Sequence, residues 1–92
     1  MRKVYLLVHN RSIEKRDELV NIINSIKEII TWRYDMRSCF YLLSEYDAKT
    51  IAEKLHEKLP NDRFIISEIG YNYWGWLTNE SWYLIQNKEL KQ

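Results

Sequence analysis

The 92-residue chain has the length of one small domain, and its 14 Lys and Arg residues nearly balance 13 Asp and Glu, for a net charge of +1. Because charges of both signs are mixed along the chain, composition excludes a general electrostatic footprint for nucleic acid, and any such contact needs a local cluster made by folding. No apolar run is long enough for a membrane span or for a signal peptide. The single cysteine, Cys39, excludes an internal disulfide, so we expect a cytoplasmic protein.

The hydrophobic pattern changes its period several times, which predicts alternating strands and helices. In chain order the predicted elements are a strand at 3–9, a helix at 14–27, strands at 30–34 and 38–44 joined by a bend at 35–37, a helix at 48–59, a strand at 63–69 and a short helix from 78 or 79. Ser12 and Asp47 are the predicted N-caps of the first two helices, and Pro60 ends the second. Residues 88–92 are expected to fray.

This order of elements predicts an α+β fold of the ferredoxin-like, split βαβ type. We expect one domain over 1–92, with a βαββαβ core at 1–70 and an appended aromatic segment and helix at 71–92. One sheet face packs on two helices, and the other is predicted to be partly apolar. The residues assigned to that open face are Tyr5, Leu7, Phe40, Leu42 and Ile65. An open apolar face favours a dimer or a cover formed by the last segment.

Side chains that could bind a metal or act as nucleophiles are few and scattered. His9, Cys39 and His56 are the only soft ligands, and none lies at a paired spacing, so no metal site is predicted. Glycine-rich phosphate loops and nucleophile motifs are absent from the sequence. Cys39 is interpreted as a small core residue and His56 as an ordinary helix residue.

Polar residues gather where predicted strands end. His9 and Asn10 close the first strand and are followed by Arg11, and Arg33 and Arg37 flank the bend between the second and third strands. Arginine at strand ends suits phosphate oxygens, because the guanidinium fork donates paired hydrogen bonds. The predicted nucleic-acid contacts are Arg11, Ser12, Arg33, Arg37 and Ser38. The alternative is that these arginines are solvated or pair with Asp35 and Glu45.

The segment Ile69–Leu77 contains both glycines of the chain and four aromatic residues. We predict that Gly70 ends the fourth strand and that Gly75 permits a bend or a close backbone approach. The predicted interface residues are Tyr71, Tyr73, Trp74 and Trp76. They pack either over the open sheet or across a dimer, because no basic residue between Arg63 and Lys88 would let them follow a nucleic-acid backbone.

Four stretches together resemble a known family: KVYLLVHN, RSCFYLL, TIAEKLHEKLPNDRFIISEI and GWL followed by SWYLI. They are similar to the small CRISPR-associated spacer-acquisition nuclease-fold proteins, above all to a stand-alone branch of short bacterial proteins labelled SinR-like. The resemblance implies a homodimer whose first strands end in Tyr-Asp, with the two Asp residues holding a divalent metal. Here that dipeptide is His9-Asn10, and a neutral amide replaces each carboxylate that Mg²⁺ prefers.

Three functions follow from these observations. The first is a homodimeric, non-catalytic binding module that contacts nucleic acid or a nucleoprotein partner and needs no cofactor. The second is a Mg²⁺-dependent endonuclease that tolerates Asn10, with His9 as a general base. The third is a protein-interaction module, such as a phage or mobile-element inhibitor of a bacterial defence system, for which aromatic side chains at the surface are typical.

Overall fold

The computed structural model describes residues 1–90. Its strands are β1 (Lys3–His9), β2 (Ile29–Met36), β3 (Cys39–Ser44) and β4 (Phe64–Glu68). Its helices are α1 (Arg16–Asn24), preceded by a 3-10 turn at Ile13–Lys15, then α2 (Ala48–Lys58) and α3 (Asn79–Asn87). Lys91 and Gln92, the end of the predicted frayed tail, lie outside the described residues. None of the helices over 1–90 is both long and apolar enough to cross a membrane.

The four strands form one antiparallel sheet in the order β2-β3-β1-β4. The interior strand β1 pairs with β3 on one side, where Tyr5 lies opposite Leu42, and with β4 on the other, where Tyr5 lies opposite Glu68. The predicted α+β class is therefore confirmed, and the arrangement is consistent with the ferredoxin-like pattern. Since β1 lies in the middle, the chain that leaves its carboxyl end emerges between the β2–β3 turn and the start of β4.

One face of the sheet packs on α1 and α2 and holds the larger core. Its buried side chains include Leu19 and Ile23 from α1 and Ile51 and Leu55 from α2. The sheet contributes Tyr5, Leu7, Phe40 and Leu42 to the same cluster. The prediction that these four residues line the open face is therefore wrong: they lie under the helices. Ile65, assigned to the same open face, is 64% exposed at the edge strand β4.

The other sheet face is covered by the C-terminal part of the chain. Val4, Tyr41 and Leu43 are buried there against Leu84 and Ile85 of α3. Four partly buried side chains complete this second cluster: Leu6, Ile69, Tyr73 and Leu77. The predicted cover by the last segment is thus confirmed, and the sheet is sandwiched between α1 and α2 on one side and α3 on the other.

The helix boundaries follow the chemistry of their caps. Asp47 caps α2 as predicted, because its carboxylate accepts a hydrogen bond from the Thr50 N–H at 2.9 Å. Ser12 precedes the 3-10 turn without a side-chain cap bond, and α1 is shorter than the predicted 14–27. The hairpin bend also differs from 35–37, since β2 continues to Met36 and the turn is formed by Arg37 and Ser38.

Candidate functional site

Three chain segments meet at one end of the sheet. The His9 N–H donates to the Ser38 carbonyl at 2.9 Å, which places the β2–β3 turn beside the end of β1. On the other side His9 lies opposite Phe64, so Arg63 is brought to the same place. Four of the six arginines of the chain belong to these segments or to the helix start that follows: Arg11, Arg16, Arg37 and Arg63. We call this region the arginine end.

Arg11 is the most constrained of the four. Its Nε donates to an Asp62 carboxylate oxygen at 2.6 Å, and both side chains are largely buried. Its Nη1 lies 3.2 Å from Glu18, a distance that makes an ion pair, although the angle does not make a hydrogen bond. Arg11 is thus paired with a carboxylate of α1 and with another from the loop before β4. Both partners compete with a phosphate group for its guanidinium, which disfavours the predicted nucleic-acid contact.

His9 is buried beneath the same loop, with 8% of its surface exposed. Its Nδ1 accepts a hydrogen bond from the Arg11 N–H at 3.1 Å, so the ring proton of the neutral form sits on Nε2. Burial, and then the positive charges of Arg16 and Arg11, hold the pKa of this imidazole below its usual value. Nδ1 is occupied and Nε2 is shielded from solvent, an arrangement that suits a structural link better than a general base.

Arg16 and two aromatic residues of β2 form a stacked row beside the arginine end. The Arg16 guanidinium lies 4.2 Å from the centre of the Tyr34 ring, a cation–π distance. The Tyr34 ring in turn stacks on Trp32 with centroids 5.9 Å apart and nearly parallel planes. Because Trp32 donates to Asn24 at 2.7 Å, the row ties β2 to both ends of α1.

The remaining predicted contacts divide into two groups. Asn10, Ser12, Arg37 and Ser38 are exposed at the arginine end, where the structure brings them together. Arg33 lies apart, opposite Tyr41 in the middle of β2, about 10 Å along the strand from Met36 at 3.3 Å per residue. Among residues 1–90, neither Arg37 nor Arg63 forms an ion pair or a side-chain hydrogen bond.

Arg16, Asp62 and Arg63 are not among the site residues predicted from the sequence. Asp62 follows the predicted end of the second helix at Pro60, and Arg63 is predicted only as the first residue of a strand. An available signal was the antiparallel topology itself, because the start of β4 must lie beside the end of β1 in that fold. The pairing of Arg11 with Asp62, 51 positions away, had no local signal.

A second surface is formed by residues 69–78, which we call the aromatic strap. The Ile69 N–H donates to the Val4 carbonyl at 2.8 Å, and the Thr78 N–H donates to Asp35 at 3.1 Å. The strap therefore crosses the sheet from β1 to β2. Between these anchors, Tyr73 and Leu77 pack on the second core cluster, which α3 forms with the sheet.

Three strap side chains face solvent. Tyr71 is 98% exposed, Trp74 is 81% exposed and Trp76 is 90% exposed. Trp74 contacts Trp82 of α3, with ring centroids 5.7 Å apart. Of the four predicted interface residues, Tyr73 thus packs over the sheet, and the other three remain available for a partner.

Beside these aromatics lies an apolar groove of about 190 Å³. Its walls include Leu6, Tyr41, Tyr73, Trp74, Gly75 and Trp82. Gly75 has no neighbouring atom within 4 Å of the place where a Cβ would stand, and neither glycine has a positive φ. Nothing in the described chain therefore requires glycine at position 75, since the fold would accept a side chain there, and the predicted close approach of another backbone stays a prediction.

Cys39 and the carboxylates offer little reactive chemistry. Burial, and then the charge of Asp35, raise the pKa of the Cys39 thiol, which disfavours the reactive thiolate. In the described part of the chain, no three His, Cys, Asp or Glu side chains cluster closely enough to hold a metal ion. Comparison of the sequence and structure with family models, curated proteins and solved structures finds no match.

Proposed function

We propose that this chain is a small ferredoxin-like module that binds the sugar–phosphate backbone of a nucleic acid at its arginine end, without cleaving it. The observation that carries the proposal is the position of Arg37 and Arg63. Both are exposed at the same end of the sheet, and neither is engaged by another described residue. Asn10 and Ser38, exposed beside them, supply neutral hydrogen-bonding groups.

The chemistry suits phosphate groups. A guanidinium fork donates two parallel hydrogen bonds to phosphate oxygens, whereas a lysine would act as a point charge. Arg11 supports the site indirectly, because its hydrogen bond to Asp62 and its ion pair with Glu18 hold the loop after β1 against the start of β4 and against α1. The module is therefore expected to read backbone rather than sequence.

Weak, salt-dependent binding follows from so few cations. Two phosphate contacts give a slope of log K against log salt of roughly −1.4 for single strands and roughly −1.8 for duplex DNA. Titration of single-stranded RNA and of duplex DNA at low salt tests this value directly. Absence of binding to both nucleic acids would rule out the proposal.

Paired variants locate the site. Arg37→Ala combined with Arg63→Ala is expected to abolish the salt-dependent part of binding. Lys27→Ala is the matched control, because Lys27 is exposed just before β2 begins, at the opposite end of the sheet. Equal losses in the double variant and in the control would show that the interaction is nonspecific.

The absence of cleavage is tested separately with metal. Wild-type protein is expected to leave both nucleic acids intact in the presence of Mg²⁺ or Mn²⁺. The reason is that residue 10 is an asparagine, whereas the spacer-acquisition family that the sequence resembles has an aspartate there. Metal-stimulated cleavage by wild type that disappears in His9→Ala or Asn10→Ala would support the endonuclease instead. Cleavage gained only in Asn10→Asp would identify a degenerate nuclease scaffold.

A further inference from the structure

Gly75 has no role within a single copy of the chain that requires glycine. Its φ is not positive, and a Cβ at this position would meet nothing within 4 Å. Yet it lines the apolar groove beside Trp74. Unlike Gly70, which also has nothing within 4 Å of a Cβ, Gly75 lies at the wall of the groove, where the absence of a side chain lets another molecule approach the backbone closely.

The strap that carries Gly75 has the composition of a contact between proteins. No charged residue lies between Glu68 and Glu80, so the strap offers a phosphate backbone no cation. At roughly 200 Å² for a whole aromatic side chain, the exposed parts of Tyr71, Trp74 and Trp76 amount to roughly 500 Å². That area approaches the roughly 600 Å² per partner at the low end of stable specific interfaces, and the neighbouring half-exposed Met36 adds to it.

We infer that the strap joins two copies of this chain, with Trp76 of each copy seated in the groove beside Gly75 of the other. A two-fold dimer needs one patch that is complementary to itself, and the strap presents a projecting ring and a groove side by side. Apolar cavities of about 150 Å³ are large enough to bind benzene, so a groove of about 190 Å³ admits an aromatic ring. An uncharged strap also meets its own copy without burying an unpaired charge.

Sedimentation velocity at tens of micromolar tests the dimer. Wild type is expected to sediment as a dimer, and Trp76→Ala and Gly75→Glu as monomers with unchanged circular dichroism. Gly70→Glu is the matched control, because Gly70 also has nothing within 4 Å of a Cβ but does not line the groove. A monomeric wild type at this concentration, or a dimer in Trp76→Ala, would overturn the inference.

Mixing two monomeric variants tests whether the partner is a second copy. Trp76→Ala retains the groove but lacks the ring, and Gly75→Glu retains the ring but has a blocked groove. An equimolar mixture restores one of the two contacts, so a mixed dimer weaker than wild type is expected. If the mixture remains monomeric at every concentration at which wild type is a dimer, the reciprocal arrangement is wrong.

The strap lies on the covered face of the sheet, and the proposed dimer does not require nucleic-acid binding. If Trp76→Ala loses the dimer but still binds RNA, the result supports the strap interface independently of the arginine end. Conversely, Arg37→Ala with Arg63→Ala is expected to leave the dimer intact. Capture of a foreign protein by a monomeric wild type, lost in Trp76→Ala, would assign the strap to that partner and reject the second copy.

Discussion

Asp35 fastens Thr78 to the sheet. One carboxylate oxygen of Asp35 accepts a hydrogen bond from the Thr78 N–H at 3.1 Å, and the other accepts from the Tyr41 hydroxyl at 2.9 Å. Burial, and then the bond to Asp35, raise the pKa of Tyr41, so its hydroxyl remains a neutral donor. The Thr78 hydroxyl also caps α3 by accepting from the Ser81 N–H. A single carboxylate on β2 therefore sets where the aromatic strap ends and α3 begins.

Asp35→Ala is expected to destabilise the protein by about 1–3 kcal/mol, since it leaves two donors without their acceptor. Asp35→Asn retains one acceptor oxygen and is expected to lose less. Urea denaturation followed by circular dichroism measures both free energies of unfolding. Glu45→Ala is the control, because Glu45 is exposed and makes no hydrogen bond or ion pair with the rest of the described chain. Equal stability of Asp35→Ala and the control would show that this link contributes nothing.

The order and type of the core elements were predictable from the sequence, because the spacing of apolar residues distinguishes strand from helix. The sequence did not predict which face of each strand packs on α1 and α2. In β1 the buried Val4 alternates with the equally buried Tyr5 and Leu7, and in β3 the buried Tyr41 alternates with Phe40. When both parities are apolar, the period of two no longer tells which face meets the helices.

The candidate site was predictable only where it is local. Arg37 and Ser38 are adjacent in the sequence, and the topology brings them to the end of β1. The partners of Arg11 come from α1 and from the loop before β4, and no property of Arg11 itself selects Asp62 over another carboxylate. The predicted interface at Trp74 and Trp76 remains a prediction. Tyr73 instead packs on the second core cluster, which includes Tyr41 and Ile85.

The bond between Arg11 and Asp62 is expected to stabilise the loop after β1. With a 2.6 Å distance and side chains only 13% and 19% exposed, loss of either partner is expected to cost roughly 1–3 kcal/mol. The more exposed pair with Glu18 is expected to contribute under about 1 kcal/mol. A double-mutant cycle of Arg11→Ala and Asp62→Ala by chemical denaturation measures the coupling. Additive single losses would show that the two side chains do not interact in solution.

His9 makes stability depend on pH in the mildly acidic range. Its folded-state pKa is lowered by burial and by Arg16 and Arg11, whereas an unfolded histidine titrates near 6.5. The unfolded chain therefore takes up the proton first, and the free energy of unfolding falls as the pH drops below about 6.5 towards the folded-state pKa. The contribution is fully present above pH 6.5.

Two variants isolate this effect from the titration of carboxylates. His9→Asn retains an acceptor for the Arg11 N–H without a titrating ring, so its stability is expected to fall less than that of wild type between pH 7 and pH 5. His56→Asn changes an exposed histidine on α2 and is expected to follow wild type. Thermal unfolding across this pH range provides the comparison. Parallel curves for wild type and His9→Asn would remove His9 as the source.

Helix α3 is expected to be part of the cooperative fold and not a detachable appendage. Leu84 is fully buried between α3 and the sheet, just as Leu55 is fully buried between α2 and the opposite face. Truncation of either side chain to alanine is expected to lower the free energy of unfolding by about 2–5 kcal/mol. Ile65→Ala, on the exposed edge strand β4, is expected to change it by no more than about 0.5 kcal/mol. Denaturation monitored both by tryptophan fluorescence, which reports largely on the strap and α3, and by circular dichroism distinguishes one unit from two. In Leu84→Ala the two signals are expected to change together at a lower urea concentration. A fluorescence transition that precedes the loss of secondary structure would show that the strap and α3 unfold independently of the βαββαβ core.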